Sequence, residues 1–348
     1  MGATAETPIR VAMVGFGTVG RWLARAAAAR SPTLAERYGL SISFVGIGTE
    51  RHGYVHAPDG LDLGAALAAP RDRPLGELGD THWPTAAEGL RATEADVVVE
   101  VTGSRGADGE PGLTHIREAL ERGVPVVTSN KWPIALAGVE LAALARARGT
   151  ALCAEATVMS GTPVLRCLRE GLAGAEPVGA RGVLNATVNF VLTEMAGGSS
   201  YAAALAAAQR AGLAERDPQA DVDGQDSVAK LMILSALAFG RQLDIGDVEC
   251  RGISDLTEDE RDATRAGAVR EVTTLKFAEP GGRGEVSASV GPAVLGEGDP
   301  LASATGTTCA LACRAEPIGE VTLIGPGAGP QLAGQGVLSD LISVALSR

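Results

Sequence analysis

Residues 9–20, IRVAMVGFGTVG, constrain the fold more than any other stretch of this 348-residue chain. Ile9 to Val14 is an unbroken apolar run that stops at a glycine, the pattern of a strand buried on both faces of a parallel sheet. Gly15, Gly17 and Gly20 then follow at GxGxxG spacing. In a dinucleotide-binding turn the first such glycine makes the tight bend and the second lets backbone approach a pyrophosphate. The third lets the next helix pack closely on the strand. VGRWLARAAAAR reads as that helix, and its N-terminus offers N–H groups and a positive dipole end to phosphates. GxGxxG alone is weak in a chain with 46 glycines, where a plain tight turn is the alternative. Its place after a strand, before a helix and at the head of an alternating series gives it meaning.

The alternation continues. SISFVGIG, ADVVVEVTG, VPVVTSN and TALCAEAT read as strands, and GLDLGAALAA, THIREALERG and WPIALAGVELAALARARG as helices. This predicts an α/β fold with an N-terminal Rossmann-type, doubly wound parallel sheet. Ligands in such sheets lie beyond the carboxyl ends of the strands. The cofactor contacts expected there are Gly15, Phe16, Gly17, Thr18, Val19 and Gly20, then Thr49 and Arg51, Thr102 and Gly103, and Asn130 and Lys131. At the end of the second strand, IGTERHG puts Thr49, Glu50 and Arg51 in competition for the adenosine ribose. Glu50 could hold the ribose hydroxyls, as in NAD sites, while Arg51 could pair with a 2′-phosphate. The reading leans to NADP, with Arg51 as a solvated loop residue the alternative.

From about Thr157 the pattern changes. TPVLRCLREGLAG looks helical, ARGVLNATVNFVLTEMAGG passes from strand to helix, and SSYAAALAAAQRAGLA is a helix opened by serine and ended at Gly212. EVTTLKFA, GEVSASVGPAVL and EVTLIGPG suggest an antiparallel or mixed second sheet, and GQGVLSDLISVALSR a last helix. A chain this long exceeds one ordinary core. The expected division is a nucleotide-binding domain at 1–155, completed by 326–348, and a second, α+β domain at 156–325.

A formal net charge of −12 leaves no basic stripe for nucleic acid. The five cysteines, Cys153, Cys167, Cys250, Cys309 and Cys313, form no CxxC and read as buried free thiols of a reducing compartment. Cys309 and Cys313 would share a face if they lay on a helix. MGATAETPIRVAMVGFG holds no charged, apolar leader, and no run of about 18 apolar residues occurs. The expectation is a soluble, cytoplasmic chain.

DVDGQDSVAKLMILSALAFG, residues 221–240, reads as a long helix that is almost wholly apolar after Ser227 except for Lys230. Asp226 lies four residues before Lys230, on one helix face. The bland reading is a surface ion pair worth a few tenths of a kcal/mol. Leu234 and Leu237 continue that face, however, so the pair should point into the interior or a cleft. A buried pair is a poor source of stability, which favours a catalytic role. Burial would lower the lysine's pKa and Asp226 would raise it. Lys131, after the VPVVTSN strand, stands at the edge where a nicotinamide should lie, with a plain loop lysine the alternative.

GFGTVG, TSNKWPIA, EATVMSGTPV, GVLNATVNFVLTEM and AERDPQADVDGQDSVAKLMILSALAFG together resemble homoserine dehydrogenase, in order and spacing over nearly the whole chain. The tail GPGAGPQLAGQGVLSDL is similar to that family's closing segment. The resemblance implies reversible NAD(P)-dependent oxidation of L-homoserine to L-aspartate 4-semialdehyde, in the threonine and methionine branch of amino-acid biosynthesis. It assigns proton transfer to Lys230 with Lys131 beside it, and the amino-acid end of the substrate to Glu215 and Asp226. It also implies a monovalent cation, Na+, near Glu155, Val158, Ser160 and Thr162, and a homodimer formed through strands of the second domain, with EVSASVGPAVL and VTLIGPG as candidates. Met159, Ser160 and Gly161 replace a usual glycine triplet. Cys309 stands in place of an asparagine, and Leu332 and Ala333 in place of threonine and alanine. The chain ends soon after the tail, so no appended regulatory domain is expected. The rival readings are a dehydrogenase of a homoserine analogue and a catalytically silent NADP-binding protein.

Overall fold

The computed structural model describes residues 8–70, 75–103, 108–215 and 217–348. They form two compact units: one runs up to Thr157 and takes in Ala333–Arg348 again, and the other is Val158–Leu332.

The first unit is built on a seven-stranded sheet. Its strands are β1 (Ile9–Val14), β2 (Ile42–Thr49), β3 (Gly53–His56), β4 (Thr81–Trp83), β5 (Val97–Glu100), β6 (Val126–Thr128) and β7 (Leu152–Cys153), in the order β4-β3-β2-β1-β5-β6-β7. β2, β1, β5, β6 and β7 are parallel, as alternating strands and helices require. β3 and β4 are antiparallel additions at one edge, so the sheet is mixed rather than wholly parallel. They escaped the sequence reading because four and three residues are too short to show a period. Gly53, at φ +65°, begins β3 directly after the turn. TALCAEAT is a strand only at Leu152–Cys153, with Ala156–Met159 already helical.

From β1 the chain steps outward to β2 and later returns to β5 on the other side of β1, which makes β1/β5 the switch point. The Thr18–Ala29 helix buries Leu23, Ala24 and Ala27 in a core with Val11 and Met13. Val337, Leu338, Leu341 and Val344 of the Pro330–Leu346 helix join that core. Trp22 occupies the space where a Cβ on Gly334 would stand, 2.2 Å away, so that helix can approach only with glycine there.

The second unit carries a six-stranded sheet in the order β13-β12-β8-β10-β11-β9. These strands are β8 (Glu176–Val183), β9 (Val248–Cys250), β10 (Val269–Glu279), β11 (Arg283–Val294), β12 (Thr308–Glu316) and β13 (Gly319–Pro326). All neighbours are antiparallel except β9 and β11. β9 and β12 went unread in the sequence. Cys309 and Cys313 therefore lie on a strand, not a helix, and still share a buried face because side chains alternate with period two. The five thiols are free but not uniformly buried: Cys250 is exposed, and Cys153 and Cys167 are half-buried.

Ser200 caps the Tyr201–Arg210 helix, its side chain accepting from the Ala203 N–H. That helix and Ala186–Ala196 share a core through Ala204, Ala208, Val188 and Leu192. The expected long helix from Asp221 is broken in two. Gln219–Val222 is a separate turn, Gly224 at φ +82° redirects the chain, and the regular helix is Gln225–Ile233 before a wide π-turn at Leu234–Ala238. Among the described residues no helix is long and apolar enough to cross a membrane.

Candidate active site

In the first unit the carboxyl ends of β1, β2 and β5 surround a cavity of about 580 Å³. The three glycines behave differently there. A Cβ on Gly15 would sit 2.5 Å from the Val101 carbonyl, and one on Gly20 2.1 Å from the Gly15 oxygen, so packing alone demands both. A Cβ on Gly17 would meet nothing within 4 Å. That open face, at the N-terminus of the Thr18–Ala29 helix, fits a pyrophosphate. Thr18 is exposed as the first helical residue, and Val19 packs against the core. Phe16 is buried under the Arg21 guanidinium, 5.1 Å from the ring centroid. Arg21 also donates to the carbonyls of Leu67 and Ala69, which ties the Thr18–Ala29 helix to that segment.

Thr49, Glu50 and Arg51 all line the cavity, as do Thr102 and Gly103. Glu100, fully buried at the end of β5, organises the neighbouring strand ends. It accepts from the Thr102 N–H at 3.1 Å and from the Thr102 hydroxyl, while its main-chain oxygen accepts from the Thr128 hydroxyl at 2.8 Å. Asn130 Nδ2 donates to Thr102 Oγ1 at 3.3 Å, and half-buried Lys131 begins the next helix. Glu100 and His115, the latter lining the cavity, had no signal in the sequence beyond a strand and a helix.

In the second unit Lys230 is 6% exposed, and its Nζ is held by two acceptors. It donates to the Leu184 carbonyl at 2.7 Å and pairs with Asp226 Oδ2 at 2.8 Å. This is the expected pair four residues apart, buried rather than at the surface. Asn185 Nδ2 bridges Asp221 Oδ1 at 3.0 Å and Asp226 Oδ2 at 3.4 Å. Its Oδ1 accepts from the Val188 N–H and caps the Ala186–Ala196 helix, so one side chain both starts a helix and aims two carboxylates.

Burial is the largest influence on Lys230 and acts to lower its pKa. Asp226, then Cys309 and Asp221, oppose it, and the net direction is upward. The lysine is thus an ammonium in the resting protein, and the lowered value that burial alone suggested is not realised. Burial foremost pushes the nearby Cys309 thiol up to about 11.

Glu215 lies on the exposed turn after Arg210, where its carbonyl accepts from Gln209 at 3.2 Å. Glu155 is buried, and its N–H donates to Asp340 Oδ2 at 2.9 Å. In the other unit Val158 is buried, and Ser160 adopts φ +53°, in the left-handed region that glycine favours. The Ser160 hydroxyl donates to the Gly327 carbonyl and the Thr162 hydroxyl to that of Pro326, each at 3.1 Å. No group of three or more His, Cys, Asp or Glu able to hold a metal occurs among the described residues. Asn185 and Asp221, which stand beside the pair, were not among the residues expected of the site. An Asn before an apolar helix is an N-cap signal that could have found the first.

The family model described as homoserine dehydrogenase matches residues 163–342. The chain is 40% identical over 340 residues to the NAD(+)-dependent homoserine dehydrogenase of Pseudomonas canavaninivorans, covering 97% of this chain and 96% of that protein. Against the homoserine dehydrogenase of Corynebacterium glutamicum it is 33% identical over 348 residues, 98% of this chain and 72% of the other. A hyperthermophilic archaeal homoserine dehydrogenase solved in complex with NADPH superposes with a TM-score of 0.80 at 30% identity, covering 98% and 99% of the two chains. The Thiobacillus denitrificans enzyme gives 0.79 at 32% identity, with 97% and 73% covered.

Proposed function

The chain belongs to the homoserine dehydrogenase family, and from that premise we propose that it reversibly oxidises L-homoserine to L-aspartate 4-semialdehyde. The observation that carries the proposal is the buried Lys230 ammonium, gripped by Asp226 and the Leu184 carbonyl, with Asp221 and Asn185 beside it.

Bound NAD(P)+ would supply the hydride acceptor for C4 of homoserine. Lys230 handles the other product of the oxidation, the hydroxyl proton. In the reductive direction its raised pKa keeps it protonated, so the proton that the aldehyde oxygen needs is in place. In the oxidative direction it must first lose a proton. A substrate ammonium seated on Asp226 and Asp221 would compete for the charge that holds the lysine's proton and lower its pKa as the substrate binds. Glu215 is assigned to the same ammonium, and Lys131 to the negative charge that develops on the substrate oxygen. The first unit, with its returning C-terminal helix, is read as the nucleotide-binding domain, and the second as the substrate-binding and dimerisation domain.

Arg51 in the cavity supports NADP, while Glu50 beside it supports NAD, as does the likeness to the NAD(+)-dependent Pseudomonas enzyme. A Na+ ion would rest on main-chain carbonyls of the Val158–Thr162 turn. The homodimer would form through the open edge strand β13, where Ile324 is 52% exposed. Light scattering reads the last point, and a monomer refutes it. Nicotinamide absorbance with homoserine against NAD+ and NADP+ tests the rest. Turnover only with an analogue identifies the rival dehydrogenase, and no turnover the silent binding protein.

A further inference from the structure

Resting on that reading of the site, we propose that Glu271 is a positioning residue of the same reaction, acting through Ser227 on the first turn of the Gln225–Ile233 helix and on the Asp226–Lys230 pair. Glu271 lies within β10 and is 3% exposed. One carboxyl oxygen, Oε1, accepts a hydrogen bond from the hydroxyl of Ser227, the residue that follows Asp226. The other, Oε2, is buried with no hydrogen-bond partner among the described residues. An unsatisfied buried carboxyl oxygen is destabilising, and a core position on a strand is more simply filled by an apolar side chain. Gly224 lies against it: a Cβ there would stand 3.7 Å from Oε2, an ordinary contact, but only 2.9 Å from Cys250 Sγ.

The titratable groups that interact with Glu271 come from four neighbouring segments. Asp226 and Lys230 lie on the helix, Asp221 on the turn before it, Cys250 on β9 and Cys309 on β12. Burial chiefly raises the carboxyl's pKa, the Ser227 hydrogen bond lowers it, and Asp226 raises it again; Lys230 and Asp221 act less, and the result is about 7. Glu271 therefore changes charge in the range where the enzyme would work, beside the lysine that moves the proton. Ionised, it adds a negative charge that holds the ammonium of Lys230 and favours the reductive direction. Protonated, it withdraws that charge and favours the neutral amine that homoserine oxidation needs.

Glu271→Gln keeps the shape and a polar partner for Ser227 but removes the titration. The test compares the pH profiles of kcat and kcat/KM in both directions for the wild type and E271Q, together with NAD(P)H affinity by fluorescence. An ionisation near pH 7 that shapes kcat/KM should be present in the wild type and absent from E271Q, with cofactor affinity unchanged. Independently of turnover, the carboxylic-acid stretch in difference infrared spectra should titrate near pH 7 in the wild type and disappear in E271Q. A wild-type pH profile retained in E271Q, or no such infrared band, overturns the proposal. If E271Q does not fold, Ser227→Ala serves in its place. Losing that hydrogen bond should move the ionisation upward, and an unmoved value overturns the proposal equally. Failure of the wild type to oxidise homoserine sinks the functional reading. Normal wild-type turnover with an unaltered variant profile sinks only the role of Glu271.

Discussion

Replacing Lys230 with methionine keeps much of the aliphatic stem and removes the ammonium. Asp226, whose side chain is 14% exposed, then loses its partner at 2.8 Å, and the Leu184 carbonyl loses its donor. Breaking a largely buried pair from one side costs about 3–5 kcal/mol, because the remaining charge is stranded. The bridging Asn185 amide keeps Asp226 partly satisfied, so the low end of that range is expected. Removal of a proton-transfer group lowers kcat by about 10²–10⁴-fold. Stability is read by denaturant titration, turnover by nicotinamide absorbance and cofactor affinity by NAD(P)H fluorescence, which should stay within about threefold of wild type. Adding Asp226→Asn should recover stability without recovering turnover, since it removes the stranded charge but restores no acid. The folded pKa of Lys230 lies above its ordinary 10.5. Its contribution is therefore fully present below about 10.5 and lost as pH rises through the higher folded value, so the stability gap between wild type and Lys230→Met should close in strong alkali. A variant with kcat within about tenfold of wild type would refute the assignment.

Gly17→Ala should fold like the wild type, because its Cβ meets nothing within 4 Å, yet bind NAD(P)H at least about tenfold more weakly by fluorescence titration. Gly20→Ala, with its Cβ 2.1 Å from the Gly15 oxygen, should lose stability as well as binding in a thermal melt. Arg51→Ala should reduce kcat/KM for NADP+ while sparing NAD+, and Glu50→Ala the reverse; equal effects on both cofactors would remove the pair from the ribose site. At neutral pH a thiol reagent followed by mass spectrometry should label exposed Cys250 well before Cys309 and Cys313, which are buried with pKa values near 11.

Local pattern made some of this protein legible and left other parts hidden. Strands buried on both faces and helices with glycine ends announce themselves within a dozen residues, so the parallel centre of the first sheet could be read. β3, β4 and β9 could not, because short edge strands exist through the neighbours they pair with rather than through their own periodicity. The apolar run after Ser227 pointed to one helix, but Gly224 and the π-turn at Leu234–Ala238 divide it, and neither changes the apolar pattern.

The site divides in the same way. The spacing of Asp226 and Lys230 on one apolar helix face favoured, from sequence alone, a pair facing the interior or a cleft over one at the surface, and the structure buries it. Asn185 and Leu184 reach that pair, and Glu271 reaches the adjoining Ser227, from 41 to 46 residues away along the chain, and only tertiary packing could bring them there. The net charge state of Lys230 was decided by that packing too. Burial and three opposing neighbours act at once, and their balance depends on distances that a linear spacing does not contain.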